Sequence, residues 1–100
     1  GGASAEKIAT ALGIVVSDAK VRSVLFNIFG GITRCDEVAK GLLGALDRTT
    51  IAAPIVVRLD GTNAEEGRAL LAAAARPEIT VEQTMLEAAA TAVRLAGEAS

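Results

Sequence analysis

Residues 25–36 read Leu25-Phe26-Asn27-Ile28-Phe29-Gly30-Gly31-Ile32-Thr33-Arg34-Cys35-Asp36. An apolar run stops at two glycines and an amphipathic pattern begins at once. This pattern predicts a buried strand, a tight turn and the first turn of a helix. The first amides of a helix have no intrahelical partner, and the helix dipole places roughly half a positive charge there. Such a corner suits an anion, either phosphate or carboxylate. Gly30 and Gly31 lack a Cβ, so a ligand can come close to their backbone. A Gly-Gly between strand and helix more often serves only the turn, so the surrounding chain has to decide.

Downstream, Cys35, Val38, Ala39, Leu42, Leu43 and Leu46 form the buried stripe of a helix, with Asp36 and Glu37 in its first turn and Thr33 as its cap. Pro54 to Leu59 is a second strand, ending at Asp60-Gly61. Thr62-Asn63-Ala64-Glu65 matches a capping box, and the helix it starts is expected to run to about Ala75 with Ala64, Gly67, Leu70, Leu71 and Ala74 inward. Arg76-Pro77 breaks that helix, and Ile79-Thr80-Val81 is a short, weaker strand. Thr84-Met85-Leu86-Glu87 is a second capping box, starting a helix expected to bury Leu86, Ala90, Val93 and Leu95 or Ala96. Upstream, Ser4 caps a helix with Ala5, Ile8, Ala9, Leu12, Val15 and Val16 on one face, ending near Ser17-Asp18. Between that helix and the two glycines, the strand is expected at about 22–28.

The predicted order is α-β-α-β-α-β-α, with Gly30 and Gly61 31 positions apart, about one βα unit. Alternation of this kind implies a parallel sheet with right-handed crossovers and helices on both faces. Ligands of such sheets sit beyond the carboxyl ends of the strands, where both glycine corners fall. Three strands with four helices is thin for the architecture, so the domain is expected to be incomplete at its N-terminus. The strand at 22–28 is then an open edge, and open edges pair with other chains, which makes self-association an expectation.

Composition narrows the chemistry. One hundred residues make one domain, 51% of them hydrophobic, with only Phe26 and Phe29 aromatic. A net charge of −2 gives no basic footprint for nucleic acid, and stacking platforms for bases are missing. No apolar run approaches the ~18 residues of a membrane span, and no signal-peptide pattern opens the chain. Cys35 is the single cysteine, which excludes an internal disulfide and agrees with a reducing compartment. Histidine is absent, so imidazole chemistry has to come from another polypeptide, and no zinc site of the usual kind can form.

Asn27-Ile28-Phe29-Gly30-Gly31-Ile32-Thr33-Arg34-Cys35-Asp36 resembles a signature near the end of the succinyl-CoA synthetase β-subunit family. Pro54-Ile55-Val56-Val57-Arg58-Leu59-Asp60-Gly61-Thr62-Asn63 resembles that family's next strand and loop at the expected distance, and Gly1-Gly2-Ala3-Ser4 its upstream glycine loop. The likeness covers nearly the whole chain and is weakest from Arg76 to Gln83. It implies a flavodoxin-like three-layer α/β fold lacking its first two strands, residues 1–100 being the N-terminally incomplete CoA-ligase domain at the end of the β subunit. The complete enzyme implied joins succinate and CoA, driven by ATP or GTP with Mg2+ bound on an ATP-grasp domain. A histidine on the α subunit is phosphorylated in between. The compartment implied is the bacterial cytoplasm, favoured here, or the mitochondrial matrix.

By the same resemblance, the backbone amides of Gly30, Gly31, Ile32 and Thr33 hold phosphate or the succinyl carboxylate at the boundary with the α subunit, supported by Arg34 and Asn63. No catalytic residue, metal or cofactor is expected on this chain, which is expected to be inactive alone. Thr33 serves equally as a helix cap. Solvent is the favoured place for Arg34, and close packing for the Cys35 thiol. Satisfied structural hydrogen bonds are favoured for Asn27 and Arg58, and a loop or capping role for Asn63. Phe29 packs its own loop or meets the α subunit. A malate–CoA ligase β subunit and a non-catalytic subunit-docking fragment remain open as alternatives.

Overall fold

The computed structural model describes residues 5–18, 20–30, 34–48 and 53–98. The elements are α1 (Ala5–Val16), β1 (Val24–Gly30), α2 (Cys35–Arg48), β2 (Ile55–Gly61), α3 (Ala64–Ala74), β3 (Ile79–Glu82) and α4 (Met85–Glu98). The predicted order holds. Both strand pairs are parallel, and the sheet order is β1-β2-β3. Each crossover therefore moves one strand in the same direction. Right-handed connections then bring α2 and α3 to the same face, where they pack on each other and α1 packs on α2. After β3, α4 packs across all three strands.

Alternation along β2 separates the faces. Ile55, Val57 and Leu59 join Cys35, Val38, Ala39, Leu42, Ala45, Leu46 and Leu71 in one core cluster, completed by Leu12 and Val24. Val56 and Ala88 are fully buried outside that cluster, which puts Val56 on the face covered by α4. A strand buried on both sides reads as a continuous apolar run, as Ile55-Val56-Val57 does. Gly67 sits where α3 crosses α2: a Cβ there would lie 2.7 Å from the Cys35 carbonyl oxygen and 2.8 Å from Leu59 Cδ1.

Several expectations change. The strands run later than predicted, because Gly30 and Gly61 stay in the ladder as partners. In α4, Ala90 is exposed, as are Leu86 at 82% and Val93 at 74%, while Ala88 and Thr91 are buried. Contacts at its start and middle explain the rotation. Thr84 Oγ accepts the Glu87 amide (3.1 Å) and donates to the Glu87 carboxylate (3.0 Å), which fixes the start of the helix. Further along, Thr91 donates to the Glu82 carboxylate of β3, and Ser23 Oγ donates to the Ala92 carbonyl (2.7 Å). The sheet therefore meets a row of small residues, and the large ones turn outward. Ala74 is likewise exposed in α3.

Of the α1 stripe, Leu12 is buried and Val15 is 42% exposed; the side chains of Ala5, Ile8, Ala9 and Val16 lie outside the described ones, as does Ser4. Val15 lines a groove of about 260 Å³ between α1 and β1, with Leu25, Phe26 and Ile28. In the described sheet β1 is an edge strand, as expected. Among the described residues no helix is long and apolar enough to cross a membrane.

Candidate functional site

β1 and β2 end together at one rim. Gly30 is the register partner of Gly61, so the corners after β1 and β2 lie side by side. Gly61 has φ 140°, a value that side chains rarely adopt, and it turns the chain into α3. The Thr62 carbonyl then accepts the Cys35 amide at 2.9 Å, which joins the second corner to the start of α2.

In α2 the Val38 amide donates to the Arg34 carbonyl (3.1 Å), so Arg34 occupies the cap position expected of Thr33. The ligand contacts expected at Gly31, Ile32 and Thr33 lie outside the described residues. Of Gly30 and Phe29 only the backbone is described, paired with Gly61 and Asp60.

Asp36, on the first turn of α2, is only 6% exposed. Its carboxylate accepts from Asn63 Nδ2 at 3.1 Å and from Arg34 Nη2 at 3.2 Å. The Asn63 hydrogen bond, the Arg34 charge and backbone hydrogen bonds at Glu37 and Asp36 itself hold this carboxyl below its usual range, against the opposing effect of burial. The protein thus carries an anion of its own on the first turn of α2. The Cys35 amide is engaged by the Thr62 carbonyl.

Asn63 stands in the capping place expected of it and makes one contact that the sequence reading did not foresee. It stands at the cap position of α3, since the Gly67 amide donates to its carbonyl (3.0 Å). Its backbone is left-handed (φ 59°, ψ 30°) and its side chain makes no cap bond to its own helix. The cap position therefore falls one residue after the expected Thr62, and the Asn63 side-chain amide donates to Asp36 instead of capping α3. Asparagine is among the few residues that tolerate this conformation. Its place two residues after Gly61 was the signal available beforehand.

The other candidates sort by burial and partner. The Arg34 side chain is 58% exposed, toward solvent as expected, while pairing with Asp36. Cys35 is fully buried, and that burial pushes its thiol up despite the nearby Arg68 charge. Arg58 Nη1 donates to Asn27 Oδ1 (3.0 Å) and Nη2 to Asp60 Oδ2 (3.2 Å), so both residues make structural hydrogen bonds as expected, but Arg58 is not fully satisfied: its Nε is buried with no hydrogen-bond partner. Among the described residues no group of three or more Cys, Asp or Glu is placed to hold a metal ion.

A family model described as CoA-ligase matches residues 1–98. The chain belongs to the CoA-ligase family. Across 96% of its length it is 67% identical to the ADP-forming succinate–CoA ligase subunit beta of Rubrobacter xylanophilus. It is 56% identical, over its whole length, to subunit beta 2 of the ADP-forming succinate–CoA ligase of Streptomyces coelicolor. Against the corresponding subunit beta of Roseiflexus sp. the identity is 52% over 96% of the chain. The chain spans about a quarter of the length of these curated relatives (25%, 26% and 24%). In this CoA-ligase domain the paired Gly30 and Gly61 corners therefore stand at the rim where open α/β sheets bind ligands.

Proposed function

We propose that the chain is the CoA-ligase domain of a succinate–CoA ligase β subunit, and that its first glycine corner helps hold an anionic reactant delivered by the α subunit. The observation that carries the reading is the 67% identity to a named succinate–CoA ligase β subunit. The register pairing of Gly30 with Gly61 at the binding rim supports it. In this reading the backbone amides of Gly30, Gly31, Ile32 and Thr33 receive phosphate or the succinyl carboxylate. The Cys35 amide already has the Thr62 carbonyl as its partner, so the contacts fall to the residues before it. Arg34 and Asn63 support the site by pairing with Asp36 rather than by touching the ligand.

Little covalent chemistry is asked of this chain. Phosphoryl transfer is governed by positioning and by stabilising charge on the transferred group. A sequence without histidine suits that division, with the phosphorylated histidine on the α subunit. Nucleotide, Mg2+ and CoA belong to the remainder of the enzyme.

The test is Gly31→Val in the full-length β subunit assembled with its α subunit. A branched side chain at the corner is expected to abolish labelling of the α-subunit histidine by succinyl-CoA and phosphate, and to reduce succinyl-CoA formation at least a hundredfold. Unchanged labelling and turnover in a correctly assembled enzyme would overturn the role given to this corner.

A further inference from the structure

We propose that the outer face of α4 is a two-fold interface, which pairs antiparallel with the α4 of a second copy of this protein.

The face exists because the inner side of α4 is given to small residues. Ala88 and Thr91 are buried, so Leu86, Ala90 and Val93 turn outward. Spacings of four and three put these on one helical stripe, in the d, a and d places of a heptad. Gly97, four residues beyond Val93, continues the stripe, and a Cβ there would meet nothing within 4 Å. Leu86 and Val93 are the two most exposed large apolar side chains among those described. α4 packs on the strands, whereas α1 and α3 pack on α2.

Charge decides the occupant and its direction. Glu87 and Arg94 each follow a large apolar residue of the stripe and flank it on one side, where paired helices set partner and orientation. Leu86 lies four residues before Ala90 and Val93 three after; Glu87 lies three before and Arg94 four after. Turning the helix end for end about Ala90 therefore exchanges apolar with apolar and acid with base. In an antiparallel pair centred there, Leu86 meets Val93 of the second copy and Glu87 meets its Arg94. A two-fold interface repeats each contact, so both occur twice. The small side chain at the crossing lets the two helices come close.

Both charges are free to turn toward a second copy. Arg94 pairs with Glu98 at 3.0 Å, but both side chains are mostly exposed, and such a pair contributes little. Glu87 accepts Thr84 Oγ at 3.0 Å, and a carboxylate has room for further donors. A contact confined to one helix is small beside the ~1,600 Å² of a standard stable interface. The association expected is therefore reversible and in the micromolar range.

The experiment is sedimentation velocity on the full-length β subunit assembled with its α subunit, from about 1 to 100 μM. The mass is expected to rise toward two copies with concentration. Leu86→Asp buries a charge in the pair and is expected to abolish the rise. Arg94→Glu sets like charges at both ends and is expected to weaken association about tenfold or more. Adding Glu87→Arg restores opposite charges, and with it most of the association. All three positions are exposed, so the variants are expected to fold. A single-copy mass throughout overturns the proposal, as does no recovery in the exchanged pair. Association that ignores Leu86→Asp and Arg94→Glu also overturns it, and belongs to the open edge of β1 instead. If Leu86→Asp releases the α subunit, that subunit covers the stripe. If it lowers the unfolding midpoint of dilute single copies, another part of the same subunit does. Either result removes the second copy as the occupant.

Discussion

The two corners of the sheet occupy the same topological place and are built in opposite ways. After β1 the chain enters α2 with its own carboxylate, Asp36, on the first turn. After β2 it enters α3 at a left-handed Asn63 whose side chain caps nothing of its own. One helix start is satisfied twice over, and the other lends its best capping group to the neighbour. Local sequence preference at Asn63 is thus overruled by a contact 27 residues away. A helix start can be stabilised by the corner beside it, and a rim built so behaves as one unit.

The firmest way to break that unit is to part the helices behind it. Gly67 of α3 lies against the Cys35 carbonyl, the residue whose amide also takes the Thr62 oxygen. In Gly67→Ala the added methyl has no room, at 2.7 Å from that carbonyl oxygen and 2.8 Å from Leu59 Cδ1. Alanine is the better helix former by up to ~1 kcal/mol. The overlap with backbone is expected to outweigh this, for a net loss of about 2 kcal/mol. Denaturant unfolding measures it. Unaltered or increased stability would mean that α2 and α3 separate without penalty, and the coupling of the corners through them would be lost.

That coupling marks the limit of what the chain discloses when read residue by residue. The core stripe of α2 was legible from periodicity within one segment, and element order, the parallel sheet and the open edge at β1 from the alternation and number of such segments along the chain. The second capping box was legible too, since Thr84 and Glu87 are three apart in sequence. The inward face of α4 was not. Leu86 and Val93 have the stronger apolar pattern, yet Thr91 to Glu82 and Ser23 to Ala92 decide the rotation. At the site, the glycines announced the corners, but the partner of Asn63 is set by the sheet register and not by its neighbours. Asp36 was legible as a charge at a helix start, but not as a nearly buried one.

Acid weakens the Asn63–Asp36 hydrogen bond in a known direction. Asp36 is held below its usual range, first by the Asn63 hydrogen bond, and Glu78 likewise by its hydrogen bonds to Arg76. A depressed carboxyl contributes its stability above the unfolded value and loses it as pH falls through the folded one. Stability is therefore expected to be level near neutrality and to fall below about pH 4. Removing the first donor with Asn63→Ala brings Asp36 back toward its ordinary range and flattens part of that acid limb, leaving the Glu78 share. Unfolding free energies measured from pH 7 to pH 2 on both proteins check this. Equal acid slopes would show that Asn63 does not hold the Asp36 charge in solution.

The finest comparison sets one substitution at two places. Asn63 and Ala75 are the non-glycine residues with positive φ among those described, at 59° and 51°, one at each end of α3. Ala75 closes the helix with its amide on the Ala72 carbonyl (3.1 Å), and its methyl group gains nothing from the left-handed turn. Glycine is the usual residue at such an end. Ala75→Gly is expected to relieve the steric strain, offset by the greater freedom of the unfolded chain, for a net gain of up to about 1 kcal/mol. Asn63→Gly removes comparable strain but also a hydrogen bond to a carboxylate, and is expected to lose about 1 kcal/mol instead. Denaturant midpoints of the two variants should therefore move in opposite directions from the parent. A shift of the same sign at both would reduce Asn63 to an ordinary turn residue, valued for its backbone alone.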